Sequence, residues 1–291
     1  MSIKNMSEAK FGVAGNCDRF YSEGNKATLQ MPGFLKENGL DAYEVQFGRG
    51  VRMSDALAEN LRKKAKEYDI VLSVHAPYFI SLSSVEEEKR ENSINYIVQS
   101  AKAADKLGAK RIVVHSGSCS KMTRQNALEL ALDTMKKAVK TLDDMGLGHI
   151  IICPETMGKI NQLGTLKEVI ELCLVDERMI PTIDFGHLNA RTFGAVKGYD
   201  DYKKILDEVE NKLGFDRMKV FHSHFSQIEY TENGGEKRHL TFEDKVYGPF
   251  FEPLGELIYK RGLSPTIICE SAGTQTDDAI KMKLIYEGYR K

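Results

Sequence analysis

The chain has 291 residues, with 41 Lys+Arg against 42 Asp+Glu and a formal net charge of −1. At 42% hydrophobic and 29% charged it is too apolar for disorder, and its balanced charge excludes a protein basic all over, though not a local basic patch. Five cysteines, an odd number with no Cys-x-x-Cys pair, exclude a disulfide framework and a thiolate zinc knuckle.

The opening MSIKNMSEAKFGVAG has no apolar stretch of signal-peptide length, and no window approaches about 18 apolar residues. A cytoplasmic protein without a membrane partner is therefore expected. Short β-branched runs then recur along the chain: KFGVAG (10–15), YEVQF (43–47), IVLSVHA (70–76), RIVVHSG (111–117), HIIICPE (149–155), MIPTIDF (179–185), MKVFHSH (218–224) and PTIICES (265–271). Near-continuous Val/Ile content marks strands buried on both faces, as in a parallel sheet. Longer segments of helical period separate them. Ile94, Ile97, Val98 and Ala101 form one apolar stripe, and Leu128, Leu132, Met135, Val139 and Leu142 form another. The acidic triplet Glu86-Glu87-Glu88 suits a helix N-terminus.

Eight strand signals alternating with helix signals predict an α/β fold, a single (β/α)8 TIM barrel spanning residues 1–291 as one domain. An open doubly wound sheet is the alternative, but no Gly-x-Gly-x-x-Gly follows a strand. The first unit is the least regular, because residues 16–40 are rich in Gly, Asn and other polar residues.

Ionisable residues collect at the strand ends. His75 ends the third run, His115 the fourth and Glu155 the fifth; Asp184 ends the sixth, with His187 one turn later. His222 and His224 end the seventh and Glu270 the eighth. In a barrel these ends converge on one mouth. Burying so many ionisable groups without partners costs several kcal/mol apiece, and divalent metals remove that cost because carboxylates and neutral imidazoles are their ligands. One catalytic zinc needs three protein ligands, so this set suffices for two or three ions. Such ions lie about 3.5–4 Å apart in two-metal phosphoester hydrolysis, and Glu155 is the candidate bridge.

The motifs VHAPY, VVHSG, ICPET, TIDFGH, FHSHF, RH and ICES, in this order and at these strand ends, resemble endonuclease IV over nearly the whole chain. That resemblance implies a zinc-dependent apurinic/apyrimidinic endonuclease of the xylose-isomerase-like superfamily, which cleaves DNA 5′ to an abasic site by metal-activated hydroxide in DNA repair. It implies a first metal held by His75, His115 and Glu155, and a second held by Glu155, Asp184, His222 and Glu270. A third would use His187, His239 and an Asp two residues before that His, but Lys237 stands there. An ammonium cannot ligate a cation, so two Zn2+ ions are expected, or three if Glu236 or His224 substitutes; Mn2+ or Fe2+ fit the same donors. Lys237 is expected beside the vacant third position. Strand 1 lacks the family's His, and HSHF replaces its His-Leu-Asn-Asp.

Glu155 and Glu270 are the candidate catalytic carboxylates. Tyr78 and Phe79 match the family's position for side chains inserted at the lesion. The stretches GRGVRMS, SGSCSKMTRQ, MGKINQLGT and LNARTFGAVKG, each following a strand, contain basic residues and no Asp or Glu. With Lys237, the arginines Arg49, Arg52, Arg124 and Arg191 are therefore the candidate DNA contacts on a basic rim. The expected partner is abasic duplex DNA, bound by a monomer. The alternative is a sugar isomerase or epimerase of the same superfamily, holding one metal with Glu155, Asp184, His222 and Glu270 and using the two glutamates as acid and base. His75 and His115 discriminate, because they have no ligand role in a one-metal enzyme.

Overall fold

The computed structural model describes residues 8–290. Eight parallel strands form one sheet: β1 (Lys10–Ala14), β2 (Ala42–Gln46), β3 (Val71–His75), β4 (Arg111–Val114), β5 (Ile151–Pro154), β6 (Thr182–Asp184), β7 (His222–Phe225) and β10 (Thr266–Cys269). Their spatial order is β5-β4-β3-β2-β1-β10-β7-β6. A parallel bridge between Glu155 and Thr182, with the Thr156 N–H donating to the Thr182 carbonyl at 3.0 Å, joins the two ends and rounds the sheet into a barrel. All eight expected strands are present. The reason is legible in β4 and β10, whose Val/Ile side chains are buried on both the barrel and helix sides.

Helices cover the outside: α1 (Asp18–Ser22), α2 (Met31–Glu37), α3 (Asp55–Glu67), α4 (Glu87–Leu107), α5 (Arg124–Asp144), α6 (Leu166–Cys173), α7 (Phe185–Arg191), α8 (Tyr199–Leu213), α9 (Phe215–Lys219), α10 (Glu252–Arg261) and α11 (Gln275–Gly288). Their starts follow ordinary capping chemistry. The Thr123 and Thr165 hydroxyls accept from the backbone N–H groups of Asn126 and Glu168, and Glu168 returns the bond to Thr165. α4 ends at Gly108, whose φ of 69° is the left-handed conformation that glycine adopts without penalty. The polar segment 16–40 holds only two short helices and a 3-10 turn.

The buried stripe of α5 differs from the expected one. Ala127, Ala131, Thr134, Met135, Ala138 and Leu142 face inward, while Leu128, Leu132 and Val139 pack at its flanks. Alanines on the inner line let α5 approach the barrel and α4 closely. All five cysteines are buried and free.

One element was not foreseen. After β7 the chain forms an antiparallel hairpin, β8 (Ile228–Thr231) and β9 (Gly235–His239), outside the barrel sheet. It docks on the loop after β5 through the Lys159–Gly235 bridge and a bond from the Ile160 N–H to the Gly234 carbonyl. That docking carries hairpin residues to the mouth.

Candidate metal centre

A cavity of about 360 Å3 opens at the strand C-termini, lined by His75, His115, Glu155, His187, Glu236, His239 and Glu270 among others. Glu155, buried just past β5, is its centre. One carboxylate oxygen faces His75 Nε2 at 3.4 Å and His115 Nε2 at 3.2 Å; the other lies 2.8 Å from His224 Nδ1. Burial disfavours the ionised form of Glu155, but His224, His115 and His75 outweigh it and hold the pKa well below the usual carboxylate range.

The imidazoles are oriented from behind. His75 Nδ1 lies 2.7 Å from the Ala76 carbonyl and His187 Nδ1 lies 2.9 Å from the Thr156 carbonyl. A carbonyl only accepts, so both rings donate from Nδ1, which directs each Nε2 at the carboxylates of the cavity, where loss of its proton would free a lone pair for a metal.

A second cluster gathers Glu155, Asp184, His224 and Glu270, with one donor atom of each within 4.8 Å of the others. Three carboxylates this close repel. Burial first, then Glu270 and Glu155, raise the Asp184 pKa despite His187. Asp184 Oδ1 accepts from the His187 backbone N–H at 2.7 Å, whereas the buried Oδ2 has no hydrogen-bond partner among the described residues. A carboxylate oxygen with no hydrogen bond, 3.3 Å from His187 Nδ1 and beside two other carboxylates and His224, belongs to a donor set that fits a divalent cation.

A third cluster is His187, Glu236 and His239. Glu236 Oε2 lies 3.4 Å from His187 Nε2, and His239 Nδ1 is held at 2.8 Å from the Ser226 hydroxyl. Burial works against a charged His187, but Asp184, Glu236, Glu155 and Glu270 push its pKa up to about 9.

Several expected residues take other places. His222 is not at the mouth: it pairs with Thr182 at the start of β6, whereas His224 pairs with Asp184. Both rings face inward, since they are two apart on one strand, but His222 sits about 7 Å deeper. Its Nε2 bonds Glu44 at 2.9 Å, so His224 occupies the place expected of His222 in the second cluster.

Lys237 is also elsewhere. The β8–β9 register pairs Glu229 with Arg238 and Tyr230 with Glu236, leaving Lys237 as the extra residue of a bulge. Lys237 and Arg238 both turn outward to Glu229. Without the bulge, Glu236 and His239 would face opposite sides of the strand; with it, both face the cavity.

Nor do Arg124 and Arg191 form a free rim. Arg124 makes a bidentate pair with Glu168 and donates to the Ile160 and Gln162 carbonyls. The buried Arg191 donates to the carbonyls of Met157, Ile160 and Gln162. Both clamp the loop on which the hairpin docks. Arg49 and Arg52 are exposed, without an ion pair among the described residues, and Lys159 lines the cavity. Tyr78 is half-exposed over His75 and His115, its hydroxyl donating to Gln46 Oε1 at 2.9 Å. Burial, Glu270 and Glu155 push its pKa up to about 12. Phe79 instead packs on Tyr96, with ring centroids 4.7 Å apart.

Glu44 was not anticipated from the sequence. It is fully buried in β2 and bonds His224 Nε2 at 2.8 Å, His222 Nε2 at 2.9 Å and the Ser73 hydroxyl at 2.8 Å. A lone acid amid the apolar run YEVQF was the available signal, since an unpaired carboxylate is not left inside a parallel sheet.

The sequence profile of the Xylose isomerase-like TIM barrel matches residues 33–284, and the chain belongs to that family. It is 36% identical over 255 residues to an uncharacterized protein of Methanocaldococcus jannaschii, covering 87% of this chain and 90% of that one. It is 30% identical over 219 residues to a probable endonuclease 4 of Methanosphaera stadtmanae, covering 70% and 75%. Among solved structures, endonuclease IV from Thermus thermophilus superposes with a TM-score of 0.68 at 19% identity, over 97% of this chain and 98% of that one. A D-tagatose 3-epimerase-like protein superposes with a TM-score of 0.70 at 20% identity, over 97% of each chain. No helix among the described residues is long and apolar enough to cross a membrane.

Proposed function

We propose that the chain is a metal-dependent phosphodiesterase of the endonuclease IV type, hydrolysing DNA 5′ to abasic sites. The observation that carries this reading is the grouping of the donors: His75 and His115 face one oxygen of Glu155, whose other oxygen belongs with His224, Asp184 and Glu270, and His187, Glu236 and His239 gather at the same mouth, while the further group of Glu44, His222 and His224 lies deeper. His75, His115 and Glu155 would hold one ion, Glu155, Asp184, His224 and Glu270 a second, and His187, Glu236 and His239 a third. Zn2+ suits these donors, as do Mn2+ and Fe2+. When bound, such ions supply Lewis acidity and lower the pKa of water. The likeness to the Methanosphaera stadtmanae probable endonuclease 4 supports the same reading.

The remaining residues have work in it. Tyr78 offers a ring at the rim, where stacking is least costly beside a missing base. Lys159 lines the mouth, and Arg49 and Arg52 on the loop after β2 supply phosphate-facing charge.

A second reading is a single-metal sugar epimerase. Its supporting observation is that Glu155, Asp184, His224 and Glu270 alone make a complete site, with the two glutamates placed to move a proton. It leaves His75, His115, His187, Glu236 and His239 without a task, which favours the nuclease. The deciding experiment is incubation of a duplex containing a tetrahydrofuran abasic analogue with metal-loaded protein, with and without chelator. Chelator-sensitive nicking is expected, reduced about 100-fold or more by Glu155→Gln. No nicking with Zn2+, Mn2+ or Fe2+, together with epimerisation of a ketose, would replace the first reading by the second.

A further inference from the structure

At the opposite end of the barrel, among the strand starts, lies a larger cavity of about 610 Å3. The strand N-termini of this fold are not where its active sites sit, so the cavity is separate from the metal centre. Its wall is strongly cationic. Lys10, Arg62, Lys66, Lys110 and Arg111 line it, and none of the five makes a side-chain ion pair or hydrogen bond among the described residues. The one acid on the wall, Glu8, is already paired with Arg290. Residues 1–7 contain no Asp or Glu.

Three buried polar atoms on this wall lack a partner: Arg111 Nη1, Ser264 Oγ and His222 Nδ1. His222 is fully buried and donates from Nε2 to Glu44, so in the neutral ring Nδ1 is an acceptor, suited to a hydroxyl of a ligand and not to its phosphate oxygens. Elsewhere the chain satisfies its sheltered arginines. Arg191 and Arg217 each reach three or more carbonyls, and Arg261 reaches Asp207 and Glu210. Among the described residues Arg111 is the exception: the side chain is half-buried, and its Nη1 is sheltered without an acceptor, which is costly.

We propose that this floor cavity is a binding site for a small ligand bearing a phosphate group. Five cations without a partner among the described residues match a dianion, Arg111 supplies planar donors to its oxygens, and Ser264 contributes a hydroxyl. The volume fits a metabolite-sized molecule rather than a nucleic-acid duplex.

The test is titration of the metal-loaded protein with inorganic phosphate and with glycerol phosphate, read by calorimetry. One site per chain is expected, weakened about tenfold or more by Arg111→Gln and severalfold by the exposed pair Arg62→Gln/Lys66→Gln. The second variant decides should the first fail to fold. His239→Gln, at the mouth, should leave this binding unchanged, and Arg62→Gln/Lys66→Gln should nick abasic duplex at the wild-type rate. The proposal is overturned by absence of binding at millimolar ligand, or by binding that ignores the floor variants but is lost in His239→Gln. Binding that emerges only after deletion of residues 1–7 would mean that the chain fills the cavity itself, and would equally overturn it.

Discussion

Replacing Glu44 by Gln keeps the shape of a buried side chain and removes its charge. The carboxylate accepts from His224, His222 and Ser73 at 2.8, 2.9 and 2.8 Å, and from Gln46 Nε2 at 3.1 Å. An amide retains one acceptor and turns two N–H donors towards groups that themselves donate. Each charge-assisted bond contributes about 1.5–3 kcal/mol, and removing one partner of a buried pair costs about 3–5 kcal/mol. Against a typical domain stability of about 5–15 kcal/mol, that loss is plain in a urea transition. Sign fixes the pH window for the metal-free protein. His224 and His222 hold Glu44 well below the usual carboxylate range despite burial, so its contribution is present above about pH 4.3 and is lost as pH falls through the lowered value. Burial opposes a charged His224, but Glu270, Glu44 and Glu155 hold its pKa well above the ordinary value, so its contribution is complete below about pH 6.5 and is lost as pH rises through the raised value. The gap between wild type and Glu44→Gln should therefore be widest between about pH 4.3 and 6.5. His224 also loses the group that orients it, and affinity for the ion of the second cluster should drop about 10–100-fold in chelator competition. A destabilisation below about 1 kcal/mol, with unchanged metal affinity, would refute the role given to Glu44.

Three further outcomes are expected. Lys237→Asp should leave the metal content unchanged, because the bulge turns residue 237 outward, whereas Glu236→Gln should lower it by one ion in elemental analysis; a gain of an ion in Lys237→Asp would show that the bulge is misplaced. In Gly158→Ala the new methyl would stand 2.6 Å from Glu236 Cβ and 2.9 Å from His187 Cδ2, so the third ion should be lost while the first two stay, which anomalous scattering on crystals of the variant would reveal. Arg124→Gln should destabilise the loop after β5 by about 1 kcal/mol once solvent screening of the half-exposed guanidinium is allowed for. Burial raises the Glu168 pKa, but Arg124 and the Gly164 and Thr165 N–H groups lower it overall, so the difference in urea stability should be full above about pH 4.3 and fade as pH falls through the lowered value.

What the sequence made legible was the barrel and the strand-end chemistry, because both are written locally. Apolar runs buried on two faces need no knowledge of their neighbours, and His75, His115, Glu155, Asp184 and Glu270 stand at the ends of such runs. What it hid was decided by register and pairing. His222 and His224 are indistinguishable within FHSHF, and only the pairing of β7 with β6 sets His224 level with Asp184. Glu236, and not residue 237, faces the cavity because of one inserted residue, visible only when β9 lies against β8. The string TENGGEKRH reads as a loop until its docking on residues 158–160 is seen. The signs of charges along the loops alone predict a basic rim. Sign does not reveal that an arginine's donors can be spent inside the protein, on Glu168 and two carbonyls for Arg124 and on three carbonyls for Arg191.

Whether the mouth is a three-ion centre or a one-ion centre is decided most directly by elemental analysis of protein purified without chelator and dialysed against metal-free buffer. About three divalent ions per wild-type chain are expected and two in Glu236→Gln, with Lys237→Asp matching wild type. A single ion per wild-type chain, unaffected by changes at His75, His115 or Glu236, would contradict the three-ion centre.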